Sequence, residues 1–356
     1  MKKKIVFQLS VLVALSLAVL AGLQRLLVPK YMGLVVEGSF IEEYYDETTP
    51  HDVLILGNCE AYENISPVAL WKEYGITSYI RGSANQLIAQ SYYLLEDTLR
   101  YETPKAVIFS ISSIQQFEQE NESYNRMTLD GMRWSTSKWN AIMETRMEGE
   151  HMIEYVFPVL RFHSRFAELE ADDFTYYWKK NKVSHNGYYM RADIRAAEEF
   201  PPARRRADYA FDSRAMEYLE KMRLLCEEKG IRLILMKAPS LYPVWYDQWE
   251  EQIVSYADSH GLLYVNCYAD REKIGIDYSH DTYDKGLHMN VYGAEKMSLY
   301  WGEILKELPG IRDHRADPEI SVAWEEKIWY YDTMKAEQEA EFSQKGYLSQ
   351  FYQGEP

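Results

Sequence analysis

The chain has 356 residues, with 55 acidic against 39 basic side chains, a formal net charge of −16 and a pI near 5.1. So acidic a balance excludes nucleic acid as an expected partner. Three cysteines in a chain of this size do not make a disulfide framework.

The first segment sets the address. Lys2, Lys3 and Lys4 precede an apolar stretch from Ile5 to about Leu27, interrupted by Gln8, Ser10, Ser16, Gln24 and Arg25. That is close to the roughly 20 residues needed to cross a bilayer as a helix. The lysines predict a cytoplasmic start, with the rest of the chain outside the cell membrane. Val19-Leu20-Ala21 also reads as a signal-peptide cleavage site, but the apolar run is long for one, which favours a retained single-pass anchor over 1–27. An acidic, Tyr-rich connector follows over 28–50.

From there strands and helices alternate. Strand 53–57 leads to a helix over Pro67–Tyr74, with Pro67 suited to a first helical position. A short strand at Thr77–Ile80 precedes a helix over Asn85–Arg100, and Ala106–Ile111 is a continuous apolar strand of the kind buried on both faces. Helix Ser213–Lys229 precedes strand Ile231–Met236, helix Trp249–His260 precedes strand Leu262–Val265, and a helix over Asn290–Leu308 closes the pattern. The alternation predicts an α/β domain over 51–312, a parallel sheet sandwiched by helices. Residues 118–212, rich in Trp, Tyr, Met and charge, read as a mostly helical insertion, and 313–356 as a polar tail with one amphipathic helix around Ala323–Phe342.

Two distant segments carry the chemistry. The apolar run Val53–Leu56 ends in Gly57-Asn58-Cys59-Glu60, and Asp281-Thr282-Tyr283-Asp284-Lys285-Gly286-Leu287-His288-Met289-Asn290 leads into the last helix. A nucleophile at a strand tip needs a base within reach and a third group to orient that base. Cys59 alone reads as a small residue in a tight turn, and His288 alone as a helix-start residue. Together, at the strand ends where open α/β sheets place ligands, they read as a site. Cys226 and Cys267 read as buried apolar residues. The set His280, Asp281, Asp284 and His288 shows no regular ligand spacing, so neither a metal nor another cofactor is expected.

Gly57-Asn58-Cys59, with Asp284 and His288 before Gly293-Ala294, resembles the SGNH (GDSL-like) hydrolase superfamily. Pro67–Tyr74, Gly82-Ser83-Ala84-Asn85-Gln86, Tyr92-Tyr93-Leu94-Leu95, His163-Ser164-Arg165-Phe166 and Asp313-His314-Arg315 are similar to its membrane-anchored bacterial branch, which includes teichoic-acid D-alanylation and alginate O-acetylation proteins. The resemblance implies a flavodoxin-like SGNH fold. It also implies an acyl-ester hydrolase or O-acyltransferase of the cell envelope, acting on a surface glycan or polymer beside a membrane-bound O-acyltransferase. In that reading Cys59 stands where the family has Ser, His288 is the base and Asp284 orients it, with Asp281 as the alternate. The oxyanion donors are the Cys59 and Gly82 amides and the Asn85 side chain, and Asn58 contacts substrate; His163 and Arg165 read either as contacts to a substrate carboxylate or phosphate or as packing and ion-pair residues of the insertion. The chain departs from the family in the Cys, in an Asp four rather than three residues before the His, and in lacking Gly-x-Asn-Asp after the third strand. The alternative is a site that has lost catalysis and serves as a glycan-binding or adaptor partner.

Overall fold

A computed structural model describes residues 2–29, 40–178, 182–198 and 203–351. Five strands, β1 (Val53–Gly57), β2 (Ser78–Gly82), β3 (Ala106–Ser110), β4 (Arg232–Lys237) and β5 (Leu263–Asn266), form one parallel sheet in the order β2-β1-β3-β4-β5. The principal helices are α1 (Lys2–Leu27), α2 (Cys59–Tyr62), α3 (Pro67–Tyr74), α4 (Ile88–Thr98), α5 (Ser213–Lys229), α6 (Asp247–His260), α7 (Val291–Leu305) and α8 (Pro318–Lys345).

The sheet is buried on both faces, so its strands read as apolar runs rather than alternating ones. The two-residue period still sorts their side chains. Val53, Ile55, Ala106, Ile108, Ile234 and Met236 enter a core shared with α3, α7 and α8. Leu54, Leu56, Val107, Phe109, Leu233 and Leu235 enter the opposite core, closed by α4, α5 and α6. The architecture is therefore α/β, helices on both faces of a parallel sheet, as the alternation predicts.

Four segments differ from the sequence expectation. The helix expected from Asn85 begins at Ile88, because Ser83–Gln86 form a turn in which Asn85 takes φ 50°, outside helical space. The insertion is helical only in short pieces, from Glu122–Gly131 to Ala171–Thr175. Its later part, 182–198, is irregular: residues 191–197 lie against the loop before α7, and the stretch around Asn186 lies along the outer edge of β2. There Ile80 N–H donates to the Asn186 carbonyl (3.0 Å), Asn186 Nδ2 donates to the Ser78 carbonyl (3.2 Å), and Tyr188 and Met190 are buried. An uncovered edge would leave backbone groups unpaired, and this segment covers it. In the connector, residues 30–39 lie outside the described residues, while Phe40, Ile41 and Tyr44 enter the core.

The tail is not a free polar segment. Its helix extends beyond Ala323–Phe342 to Pro318–Lys345, opened by Pro318 and closed by Gly346 at φ 77°. Trp324 stacks on Trp71 of α3, ring centroids 4.8 Å apart and planes 14° from parallel, and Tyr331 is buried beside them. At the other terminus, α1 is the one helix among the described residues long and apolar enough to cross a bilayer; its most apolar window is wholly unburied.

Truncating a fully buried Trp in such a stack removes about 3–5 kcal/mol. Trp324→Ala is therefore expected to lower the thermal midpoint of the detergent-solubilised chain by several degrees and to expose α8 to protease. An unchanged midpoint would mean that α8 is peripheral to the core.

Candidate active site

All strands point the same way, so their carboxyl ends share one edge of the sheet. The order reverses between β1 and β3, and the loops after these two strands diverge there, the place where open α/β sheets take ligands. Cys59 stands at that point. Gly57 ends β1 at φ +147°, and a Cβ on it would lie 2.6 Å from the Ser110 Cβ, so the turn into α2 needs glycine. Asn58 caps α2: its Oδ1 accepts from the Glu60 N–H (3.1 Å) and from the Ser112 hydroxyl (3.2 Å), and its own N–H donates to Ser113 Oγ (3.1 Å). Cys59 is thus the first residue of a helical turn. Its N–H is one of the donors a helix start leaves without a backbone acceptor. As a whole residue Cys59 is partly exposed.

The second half of the site comes from the loop before α7. Lys285 at φ 70° and Gly286 at φ 101° bend the chain tightly enough for Asp284 to reach His288 twice. Asp284 Oδ1 accepts from the His288 N–H at 2.8 Å, and Oδ2 lies 2.6 Å from His288 Nδ1. A four-residue spacing therefore suffices where three is usual. The loop is pinned by Asn290, which caps α7 through the Tyr292 and Gly293 N–H groups and donates to the His280 carbonyl at 2.6 Å. It is tied to the Cys59 side by Met289 N–H, which donates to Asn64 Oδ1 at 2.8 Å.

His288 Nε2 is buried without a hydrogen-bond partner. Cys59 and His288 act on each other's proton affinity across the site. Burial pushes the Cys59 thiol up; His288 opposes this, while Glu63 and Glu60 reinforce it. For His288, burial works against the charge, but Glu63, Cys59 and the bond to Asp284 together hold the imidazole well above its ordinary range. The surroundings thus favour the proton on both groups.

Sequence reasoning missed the carboxylates. Glu63 Oε2 lies 3.5 Å from His288 Nδ1 and accepts a hydrogen bond from Tyr283. Its spacing of four from Cys59 on one helical turn was the available signal. Glu60 forms a fully buried ion pair with Lys237 of β4, Nζ 3.1 Å from Oε1. That pairing crosses 177 positions and has no local signature.

The other candidates are distributed as follows. Asp281 faces away from His288: it holds His280 Nδ1 at 3.0 Å, pairs with Lys296 and accepts from the Asp277 N–H, so the two His-Asp pairs of the loop are separate. Gly82 lies opposite Gly57 in register, and a Cβ there would meet the Gly57 carbonyl at 2.9 Å. Because Ile80 N–H points to the outer edge of the sheet, strand alternation turns the Gly82 N–H outward as well. The Asn85 carbonyl accepts from Gln119 Nε2 at 2.7 Å, and its side-chain amide has no partner among the described residues. His163 is exposed in the insertion, Nδ1 3.0 Å from the Leu160 carbonyl. Arg165 grips Asp173 through two bonds of 2.7 and 2.9 Å and reaches the carbonyls of Leu26 and Leu27.

No protein-family model matches the chain, and no curated protein matches it. Among solved structures it is similar to a protein assigned to the G-D-S-L lipolytic family from Desulfitobacterium hafniense DCB-2, at 14% identity and a TM-score of 0.34, covering 72% of this chain and 100% of that one. It is also similar to a GDSL-like lipase from Bacteroides thetaiotaomicron VPI-5482, at 12% identity and a TM-score of 0.33, covering 75% and 97%.

Thiolate is the reactive form, so a raised thiol should react slowly at neutral pH. Iodoacetamide labelling of Cys59, followed by mass spectrometry, is expected to be slow at neutral pH and to climb only above the ordinary thiol range. Cys226, buried and pushed up to about 12, should stay unlabelled. Fast labelling of Cys59 at neutral pH would show a preformed thiolate and overturn the assignment.

Proposed function

We propose that the chain is an extracytoplasmic acyl-ester hydrolase or O-acyltransferase of SGNH type, anchored by α1 and acting on a cell-surface glycan or polymer with Cys59 as nucleophile. What carries the proposal is one observation: His288 is fixed by Asp284 on Nδ1, and its imidazole engages Cys59 by charge and hydrogen bonding. An oriented imidazole with a free nitrogen beside a nucleophile is the minimum for acyl transfer.

The steps are as follows. Neutral His288 takes the thiol proton at Nε2, and sulfur attacks the ester carbonyl carbon. The oxyanion of the tetrahedral adduct accepts from the Cys59 N–H, with the Asn85 amide as the second donor; Gly82 contributes by having no side chain there. Collapse expels the alcohol, which leaves with the proton from Nε2, and a thioester forms on Cys59. Water or a sugar hydroxyl then gives its proton to Nε2 and attacks the thioester, restoring the thiol. Asp284 stabilises the imidazolium in each step.

One observation favours a second reading, a non-catalytic glycan-binding or adaptor partner of a membrane-bound O-acyltransferase. Glu60 and Glu63 oppose thiolate formation, and an imidazolium is not a base.

Turnover of a chromogenic acetyl ester separates the two. If the thiol works, Cys59→Ala and His288→Ala each lose on the order of 10⁴-fold or more, and Asp284→Asn about as much. Gain of turnover in Cys59→Ser over an inactive wild type would instead mean an intact scaffold with a lost nucleophile, and silence in every variant would leave the adaptor reading.

The pH profile tests the base. His288 must be neutral to accept a proton, and Glu63 raises its pKa, so the acid limb of kcat/KM should lie to the alkaline side of an ordinary histidine. Glu63→Gln removes that charge and is expected to move the limb to lower pH. A limb that does not move would exclude Glu63 from the tuning of the base.

A further inference from the structure

The insertion makes a second use of its aromatic residues at the far end of α1. Short helices at Val159–Phe162 and Ala171–Thr175, with the turn at His163–Glu168 between them, pack against the last turns of α1. Two side chains hold the helix directly. The Tyr177 hydroxyl donates to the Gly22 carbonyl, and the Arg165 guanidinium donates to the Leu26 and Leu27 carbonyls, which a helix end leaves without backbone donors. Each of these grips is followed in the chain by an aromatic ring left in the open: Phe166 is 75% exposed and Trp178 85%. Leu160 and Phe174 on the same segment are about half exposed. Large apolar groups concentrated in this way on a soluble face need a cover.

The position of the segment along α1 says what the cover is. From Ile5 to Gly22 the helix rises about 27 Å at 1.5 Å per residue, against a hydrocarbon thickness of about 30 Å. The contact at Gly22 therefore falls where an embedded α1 would leave the hydrocarbon and enter the headgroup zone. That zone is where Trp and Tyr rings concentrate, with the apolar body in the chains and the polar tip in the interface. Arg25, 5.2 Å from the centre of the Tyr177 ring, is at the level where a guanidinium reaches lipid phosphate.

We propose that residues 157–178 form an interfacial foot, in which Phe166 and Trp178 insert into the outer leaflet beside α1. The occupant of this exposed apolar segment is the lipid bilayer itself. The proposal rests on α1 being a retained membrane span; it does not rest on the site being catalytic. Its consequence is that the domain stands at a set height and tilt, because the foot and α1 grip the same interface.

The test uses the full chain reconstituted in phosphatidylcholine vesicles brominated either close to the headgroup or near the chain end. Bromine close to the headgroup should quench a component of tryptophan emission that disappears in Trp178→Phe, a change that preserves the ring packing. Bromine near the chain end should quench that component less. Equal quenching of wild type and Trp178→Phe would overturn the foot while leaving the span intact. Blue-shifted Trp178 emission already in detergent, with no response to bromine, would mean that protein covers the ring and would also overturn it. Extraction of the wild type by alkaline carbonate would remove the span and the foot together. Retention in the membrane pellet, with the Trp178 component quenched, establishes both.

Discussion

Parallel pairing is the constraint on which the site depends. Strands that run the same way must be joined by crossovers, so every loop that follows a strand lands on one edge of the sheet. The order β2-β1-β3-β4-β5 then opens a crevice between β1 and β3 on that edge. Cys59 after β1, the serines after β3 and Lys237 at the end of β4 meet there although long stretches of chain separate them. The loop carrying His288 belongs to no strand, and it reaches the same edge because Asn290 starts α7 there and Asn64 holds Met289.

The electrostatics of the crevice make a particular bargain with sulfur. Glu63 and Asp284 raise the affinity of His288 for a proton, which makes it a stronger base once neutral. For a hydroxyl nucleophile the carboxylates add no penalty on the nucleophile itself, since a hydroxyl does not ionise ahead of attack. A thiol can ionise first, and Glu63, together with Glu60, disfavours that thiolate. The surroundings thus suit proton transfer concerted with attack better than a preformed thiolate–imidazolium pair. Lys237 does not relieve this, because Glu60 and the Ala238 carbonyl occupy its ammonium group in a fully buried arrangement.

What the sequence made legible follows from periodicity. Strands buried on both faces leave unbroken apolar runs, and Val53–Leu56, Ala106–Phe109 and Leu233–Met236 were readable for that reason. The Asp284–His288 pairing was readable because it is local, two bonds across four residues. Segment 182–198 was not, since it is irregular, with neither a 2.0 nor a 3.6 period, and long-range bonds such as those of Asn186 to Ser78 and Ile80 and of Arg195 to Thr282 set its place. The docking of α8 was hidden for a similar reason: a few buried aromatics, Trp324 and Tyr331 among charged neighbours, carry the whole contact. Glu63 and the Glu60–Lys237 pair required three-dimensional proximity. Arg165, for which the sequence left open a substrate contact or an ion pair within the insertion, is engaged by Asp173 and by the end of α1.

The contacts of Arg165 bear on how the domain is carried. A connector such as 28–50 suggests a flexible leash, along which a site samples a wide volume. Yet the end of α1 is held by Arg165 and Tyr177, while the far side of the connector is held as well. Glu43 accepts from the Val183 N–H and the Ser184 hydroxyl, both at 2.6 Å, and Tyr176 donates to Glu42 at 3.2 Å. The insertion therefore bridges both ends of the connector, and the chain between them does not set the geometry. The crevice is thus held relative to the end of α1 by side-chain contacts of the insertion, through Arg165 and Tyr177 on one side and Glu43 on the other.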